Sequence, residues 1–402
     1  MDGIDDLDDT ADAASFIEPA SASASASDDN ASIGTTDHLA ITSDYDPTLH
    51  HRRTATSTTA GASLVGSLTD SVTEHVFENG RRYHRYKSGR YPIPNDDMEA
   101  SRENVRNALF SELLGGQLHL APLARPQHIM DVGTGFGDWA VEAGDRYPSA
   151  RVVGLDLSPI QPVWIPPNVE FVVDDVEDNA WIHGSDVDFF HFRMVAVVLK
   201  DPAAVARTAF ASLRPGGWIE FQEVYPRIAC QDGDVDDDDD NNIINNNNNN
   251  STRHPGAGGD YVVARFYRLA ARVLRRRYGW DLFAAGHLPR QLQDIGFVRV
   301  QRRVCHVPIG YWPKDPRRMQ QAFLLEETLT EFMAAMQAKP FSGGIDLAAD
   351  EGEDGGARVV MSADEVDALC HEVRAALRAK HVHAYIPFHF IWAQKPEQPP
   401  SG

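Results

Sequence analysis

The stretch HIMDVGTGFGDWAVEAGDRY (residues 128–147) constrains the fold of this chain more than any other segment. A short apolar run meets three glycines within five positions, Gly133, Gly135 and Gly137, and a helix-forming segment follows at once. A strand that turns directly into a helix signals a βαβ unit, because parallel strands need a long crossover between them. The pattern repeats downstream. RVVGLDLS (151–158), VEFVVDD (169–175), VDFFHFRM (187–194) and PGGWIEFQEV (215–224) read as strands, and DPAAVARTAFASL (201–213) reads as a helix. Helices are expected at 98–116, 261–279, 288–297, 317–338 and 363–381, with further strands at 298–310 and 384–395. Alternation of this kind predicts an α/β fold: a Rossmann-like parallel sheet with helical crossovers covering both faces.

Composition divides the chain. Residues 1–72 are rich in Ser, Ala, Thr and Asp, typified by SASASASDD, and cannot bury enough apolar surface to offset the entropy of ordering. A disordered N-terminal tail is therefore expected there. Residues 73–127 read as a helical cap segment and 128–230 as the nucleotide-binding core. The run DDDDDNNIINNNNNN marks a low-complexity loop insertion, 231–259. Residues 260–395 form the second half of the domain with lid helices and final strands, and 396–402 form a short tail.

The glycine loop narrows the choice of ligand. Glycine reaches backbone conformations closed to other residues and leaves no Cβ between main chain and ligand. A nucleotide-like molecule can then rest on the turn and the following helix N-terminus. A dinucleotide fingerprint, G-x-G-x-x-G, would place its third glycine at 138, but residue 138 is Asp and the glycine comes one position earlier. Asp131 also precedes the loop, poorly placed for pyrophosphate and well placed for a cation. Both departures favour a nucleoside that carries an amino-acid cation, which describes S-adenosylmethionine (SAM). Asp156, 23 residues after Gly133, has the offset of an acid that accepts from ribose hydroxyls. Asp174 and Asp175 follow the next strand; Asp175 is favoured as acceptor from an adenine amino group.

These motifs carry a resemblance. MDVGTGFGDWAVEAGDRYPSARVVGLDLSPIQPVWIPPNVEFVVDDVED resembles the cofactor half of class I SAM-dependent methyltransferases, in particular the fungal LaeA-like group related to trans-aconitate methyltransferase. FENGRRYHRYKSGRYPIPND, LRPGGWIEFQE and VPIGYWPKD extend the likeness over about residues 75–340. It implies a seven-stranded class I methyltransferase sheet. It also implies that Asp131, Gly133, Thr134, Gly135 and Gly137 hold the methionine part of SAM, Asp156 and Leu157 the ribose, and Asp175 and Val176 the adenine. His191 and Arg193 are expected where cofactor and acceptor pockets meet, just past the fourth strand, with His191 the one candidate base by position. Tyr83, Tyr86 and Tyr91 either close over the cofactor or pack in the core, and core packing is favoured.

Charge and cysteine content exclude several classes. With 37 basic and 59 acidic residues the formal charge is −22, which argues against direct nucleic-acid binding. Three cysteines, none in CxxC spacing, offer no zinc site. His381, His383 and His389 lack acidic or cysteine partners at ligand spacing, so no metal is expected. No apolar run is long enough for a membrane span. Methyl transfer to a small molecule or protein side chain is the leading expectation. A SAM-binding regulator of secondary metabolism with protein partners and little catalysis is the alternative, with nuclear or cytoplasmic residence. A nicotinamide-dependent oxidoreductase is disfavoured by the glycine spacing.

Overall fold

The computed structural model describes residues 74–178, 185–230, 261–348 and 358–397. The expected disordered tail and the Asp/Asn-rich insertion lie outside the described residues. A hairpin of β1 (His75–Glu78) and β2 (Arg81–His84) precedes helix α1 (Asp97–Leu113). The alternating region follows: β3 (His128–Val132), α2 (Asp138–Arg146), β4 (Arg151–Asp156), β5 (Val169–Val173), β6 (Val187–Arg193), α3 (Pro202–Ser212) and β7 (Leu213–Val224). Beyond a short β8 (Ala229–Cys230) come α4 (Val262–Tyr278), α5 (Ala284–Ile295), β9 (Val298–Ile309), α6 (Pro316–Ala338), the pair β10 (Ile345–Leu347) and β11 (Val359–Met361), α7 (Ala363–Leu377) and β12 (Ala384–Gln394).

The main sheet runs β5-β4-β3-β6-β7-β12, with β9 on the far edge of β12 and β8 beside the start of β12. Strands β5 to β7 are parallel, whereas β12 is antiparallel to both of its long neighbours. Because β8 meets β12 on the edge that β7 also uses, the strands occupy seven lanes, the expected Rossmann-like number.

Period-two alternation sets the layers. On β6, Phe189 joins Trp139 and Ala143 of α2, while Phe190 and Phe192 pack with Ala206 of α3 and Leu288 of α5. All three phenylalanines are fully buried, each stabilising the fold by about 2 kcal/mol relative to exposure. A third and larger core joins α1, α4, α6 and α7 to the β9–β12 edge, where Phe110 meets Phe388 and Phe390 edge-on at 5.4 and 5.9 Å. The helix starts are written in the sequence: Asp96 caps α1 through Glu99 N–H at 3.1 Å, and Ser362 with Glu365 forms a capping box on α7.

Three features depart from the sequence reading. The β4-to-β5 crossover contains no helix: Pro159, Pro162, Pro166 and Pro167 fall within residues 157–168, and each lacks the N–H a helix needs. Asn79-Gly80 turns the β1–β2 hairpin with φ of 51° and 76°, a turn signal that the sequence reading left unused. Finally, α5 starts at Ala284, four residues before the expected helix, and keeps Pro289 within its first turns.

Candidate active site

The parallel strands reverse their order of addition between β3 and β6, and the crevice opens beyond their carboxyl ends at that switch point. It encloses about 1280 Å³, including the space at its mouth.

Its floor is the glycine loop between β3 and α2. The three glycines all take positive φ, at 70°, 58° and 88°, but for different reasons. A Cβ on Gly133 would stand 2.4 Å from Val195, and one on Gly137 would stand 2.5 Å from Phe171. Those two glycines permit close packing. Gly135 has nothing within 4 Å of its missing Cβ, so its bare side is the one that faces space for a ligand. Gly137, expected to hold cofactor, instead caps α2 beneath Phe171 and does not line the crevice; the other ten expected cofactor residues do.

Asp131 of β3 pairs in register with Gly154 on one side and His191 on the other, and His191 in turn with Glu220. One Asp131 carboxylate oxygen accepts from Thr134 Oγ1 at 2.6 Å and the other from His191 Nδ1 at 2.7 Å. A carboxylate can only accept, so the shared hydrogen lies on the imidazole. The missing Cβ of Gly154 makes room for Thr134, whose Oγ1 would otherwise stand 2.8 Å from it. His191 belongs to β6 itself rather than to the loop past it, has no exposed surface, and stacks on Trp139 at 3.7 Å with 6° between planes. Burial holds its pKa below the ordinary histidine value. Its Nδ1–H orients Asp131.

Asp156, at the end of β4, ties the loop together. Its Oδ2 accepts Gly135 N–H at 2.8 Å and its Oδ1 accepts Ser158 N–H at 2.9 Å. Enclosure by the protein pushes its pKa up to about 6. Gln161 donates to the Gly135 carbonyl at 2.7 Å, so the proline-rich crossover braces the same loop.

Asp174, Asp175 and Val176 all line the crevice past β5. Asp175 is buried, and its Oδ2 is bridged by Lys87 Nζ at 2.6 Å and by Arg90. Lys87 also reaches Asp178 at 2.7 Å, and Arg90 pairs with Glu177. The segment between β2 and α1 is thus strapped across the end of β5. These two cations escaped the sequence reading, although both lie in the aromatic and basic stretch RYKSGRYPIPND. Of the three tyrosines, Tyr91 lines the crevice, whereas Tyr83 is buried away from it under Lys339.

Helix α1 supplies the remaining wall through Glu99, Glu103, Arg106 and Asn107. Arg193 ends β6, donating to Gln222 at 2.9 Å and to Asn107 at 2.5 Å, with Phe110 beneath its guanidinium at 4.9 Å. Burial pulls its pKa down to about 10, so it remains a cation at neutral pH. Met194 and Trp280 complete the far end; neither stands in a motif, and Trp280 is brought in from the end of α4.

Comparison with known proteins agrees with this geometry. The model of a methyltransferase domain family matches residues 102–302, half of the chain. A methyltransferase, pytC, of Aspergillus terreus is 34% identical over 336 residues, covering 83% of this chain and 92% of its own length. The secondary metabolism regulator LAE1 of Cochliobolus heterostrophus is 31% identical over 81% of this chain and 96% of its own. The protein-methionine methyltransferase laeA of Emericella nidulans is 28% identical over 79% of this chain and 76% of its own. A glycine loop braced by Asp131 and Asp156, on a seven-lane sheet with an antiparallel β12, together with these likenesses, gives one conclusion: the chain belongs to the methyltransferase domain family, as a SAM-dependent methyltransferase of the LaeA-like kind.

Proposed function

We propose that the crevice holds SAM in one orientation. The methionine part lies against Asp131, Gly133, Thr134 and Gly135, the ribose on Asp156 beside Leu157, and the adenine against Val176 and Asp175. The single observation that carries this reading is the open side of Gly135, whose own N–H is held by Asp156. That cradle is one a side chain would fill, and the acid beside it retains lone pairs for hydroxyl donors. Asp131 and Asp156 bring negative charge toward the cationic part of such a ligand. The residues present therefore fit the cofactor.

SAM supplies a methyl group already activated on a sulfonium, so no protein acid has to create a leaving group. What remains for the protein is alignment and exclusion of water. His191 fixes Asp131, and Arg193 fixes Asn107 of α1. The strap carrying Lys87 and Arg90 encloses the adenine end. No residue is required as base for an acceptor that attacks as an anion or a neutral lone pair.

Calorimetry tests this directly. SAM and S-adenosylhomocysteine are expected to bind and NAD is not; Gly135→Arg and Asp156→Ala are expected to abolish the signal. Undiminished affinity in either variant defeats the assignment.

A second reading draws on Trp164 and Val163, 94% and 74% exposed on the β4–β5 crossover that braces the glycine loop. An apolar projection so close to the cofactor loop suits a protein partner sensitive to SAM occupancy, consistent with a nuclear or cytoplasmic regulatory role in secondary metabolism. Tritium transfer from labelled SAM into fungal extract separates the two: a labelled product supports catalysis, and its absence supports the partner-binding role.

A further inference from the structure

The crevice continues past the residues proposed to hold SAM. Tyr91, Arg106, Met194, Val198 and Trp280 border both it and a second chamber of about 780 Å³. Met194, at this junction, holds φ at 58°, a left-handed conformation that costs a non-glycine residue energy and is typical of functional sites. Tyr91 stacks obliquely on Trp280 at 5.1 Å, forming an aromatic collar between the two spaces.

The chamber walls come from α4, α6 and β12, through Tyr267, Leu325, Leu329, Phe332 and Phe388. Among the described residues, no carboxylate, histidine, lysine or cysteine lines it. An ammonium entering it would lose hydration without gaining a counter-charge, which is costly. The Tyr91 and Tyr267 phenols are pushed above their ordinary values by burial, so they stay protonated and neither acts as a base.

The two charged residues on the wall differ. Arg102 is fully committed, with Nε at 3.1 and 3.0 Å from the Glu99 oxygens and a further bond to Glu103. Arg106 is bound through one terminal nitrogen to Glu103 only, which leaves its other N–H groups without a protein partner among the described residues. Arg106 also stands where crevice and chamber meet.

We infer that this chamber binds the methyl acceptor, a mainly apolar small molecule whose reacting group is a carboxylic acid or an enol of comparable acidity, held as its anion at Arg106. The inference rests on the SAM assignment above. In the reaction the oxygen lone pair forms the O–CH₃ bond, the C–S bond breaks, and its electron pair stays on sulfur, giving a neutral thioether. The proton has already left to solvent, because the acid ionises without help from a protein base. Arg106 lowers the cost of burying that anion and turns its oxygen toward the junction.

The test uses the full chain saturated with S-adenosylhomocysteine and three naphthalene probes: 2-naphthoate, 2-naphthylmethanol and 2-naphthylmethylammonium. Binding is read from quenching of tryptophan fluorescence and checked by calorimetry. Naphthoate is expected to bind at least tenfold more tightly than the ammonium probe. Arg106→Gln is expected to weaken naphthoate at least tenfold while changing the alcohol less than threefold. Leu329→Trp, which fills the chamber away from the cofactor, is expected to abolish binding of the probes and to leave S-adenosylhomocysteine affinity unchanged. Ammonium binding as tight as naphthoate, or naphthoate affinity indifferent to both variants, overturns the inference. Failure of S-adenosylhomocysteine to bind the unaltered protein overturns the cofactor reading instead.

Discussion

Among single residues, Asp156 has the most direct consequence for pH. With its pKa pushed up to about 6, it is protonated below that point and loses the charge that makes it a strong acceptor. SAM affinity is therefore expected to fall as pH drops from 7 to 5 and to level off above 7. A hydrogen bond to a charged group is worth about 1.5–3 kcal/mol, so Asp156→Asn is expected to weaken binding about tenfold or more at pH 7.5. It is also expected to remove most of the dependence between pH 5 and 7. Calorimetry across that range checks both expectations; an unchanged pH profile in the variant points to another group. This residue, like Asp131 and the glycines, was legible in the sequence because the site is built from neighbours along the chain. Gly137 lies in the same motif, but its missing Cβ makes room for Phe171.

At the scale of elements, β7 carries a buried acid that serves the turn after β6. Glu223 Oε1 accepts Val195 N–H at 3.0 Å and Ala196 N–H at 2.8 Å, and burial pushes the carboxyl up to about 8. Its value in the unfolded chain is near 4.3, so the folded state holds the proton more tightly. The resulting stabilisation is complete below that lower value and is lost as pH rises through about 8. Glu223→Gln keeps the accepting oxygen and never ionises. Its melting temperature is expected to exceed that of the parent chain at pH 8.5 and to match it at or below about pH 4, as differential scanning calorimetry can show. Element types were readable from periodicity, and most boundaries fell within a few residues. Helical crossovers were expected in general, but no helix was named between β4 and β5, where four prolines keep the connection irregular. The strap across β5 was not readable at all: Lys87 and Arg90 meet Asp175 from more than 80 residues away.

Across the whole molecule, α1 couples the cofactor crevice to the helical layer over the β9–β12 edge. Its Asn107 holds Arg193 of β6, its Phe110 packs on β12, and its Glu112 pairs with Arg317 of α6. Phe110→Ala is expected to cost about 3–5 kcal/mol in unfolding free energy, the usual loss for a buried aromatic side chain. SAM affinity is expected to fall with it, because Asn107 and Arg106 ride on the same helix. Denaturant unfolding with and without S-adenosylhomocysteine reads both. A stability loss with intact affinity would show that α1 is only a cover.

The sequence by itself determined the α/β class, the strand-turn-helix cradle and the acids that flank it. Those features arise from residues within a few positions of each other, where backbone sterics and side-chain period decide the outcome. Only the tertiary structure decided that β12 inserts antiparallel between β7 and β9, that His191 stacks on Trp139, and that Arg106, Met194 and Trp280 frame one junction. Such contacts join residues far apart along the chain. Which side chains share a cavity depends on how whole layers pack, and no local pattern records it.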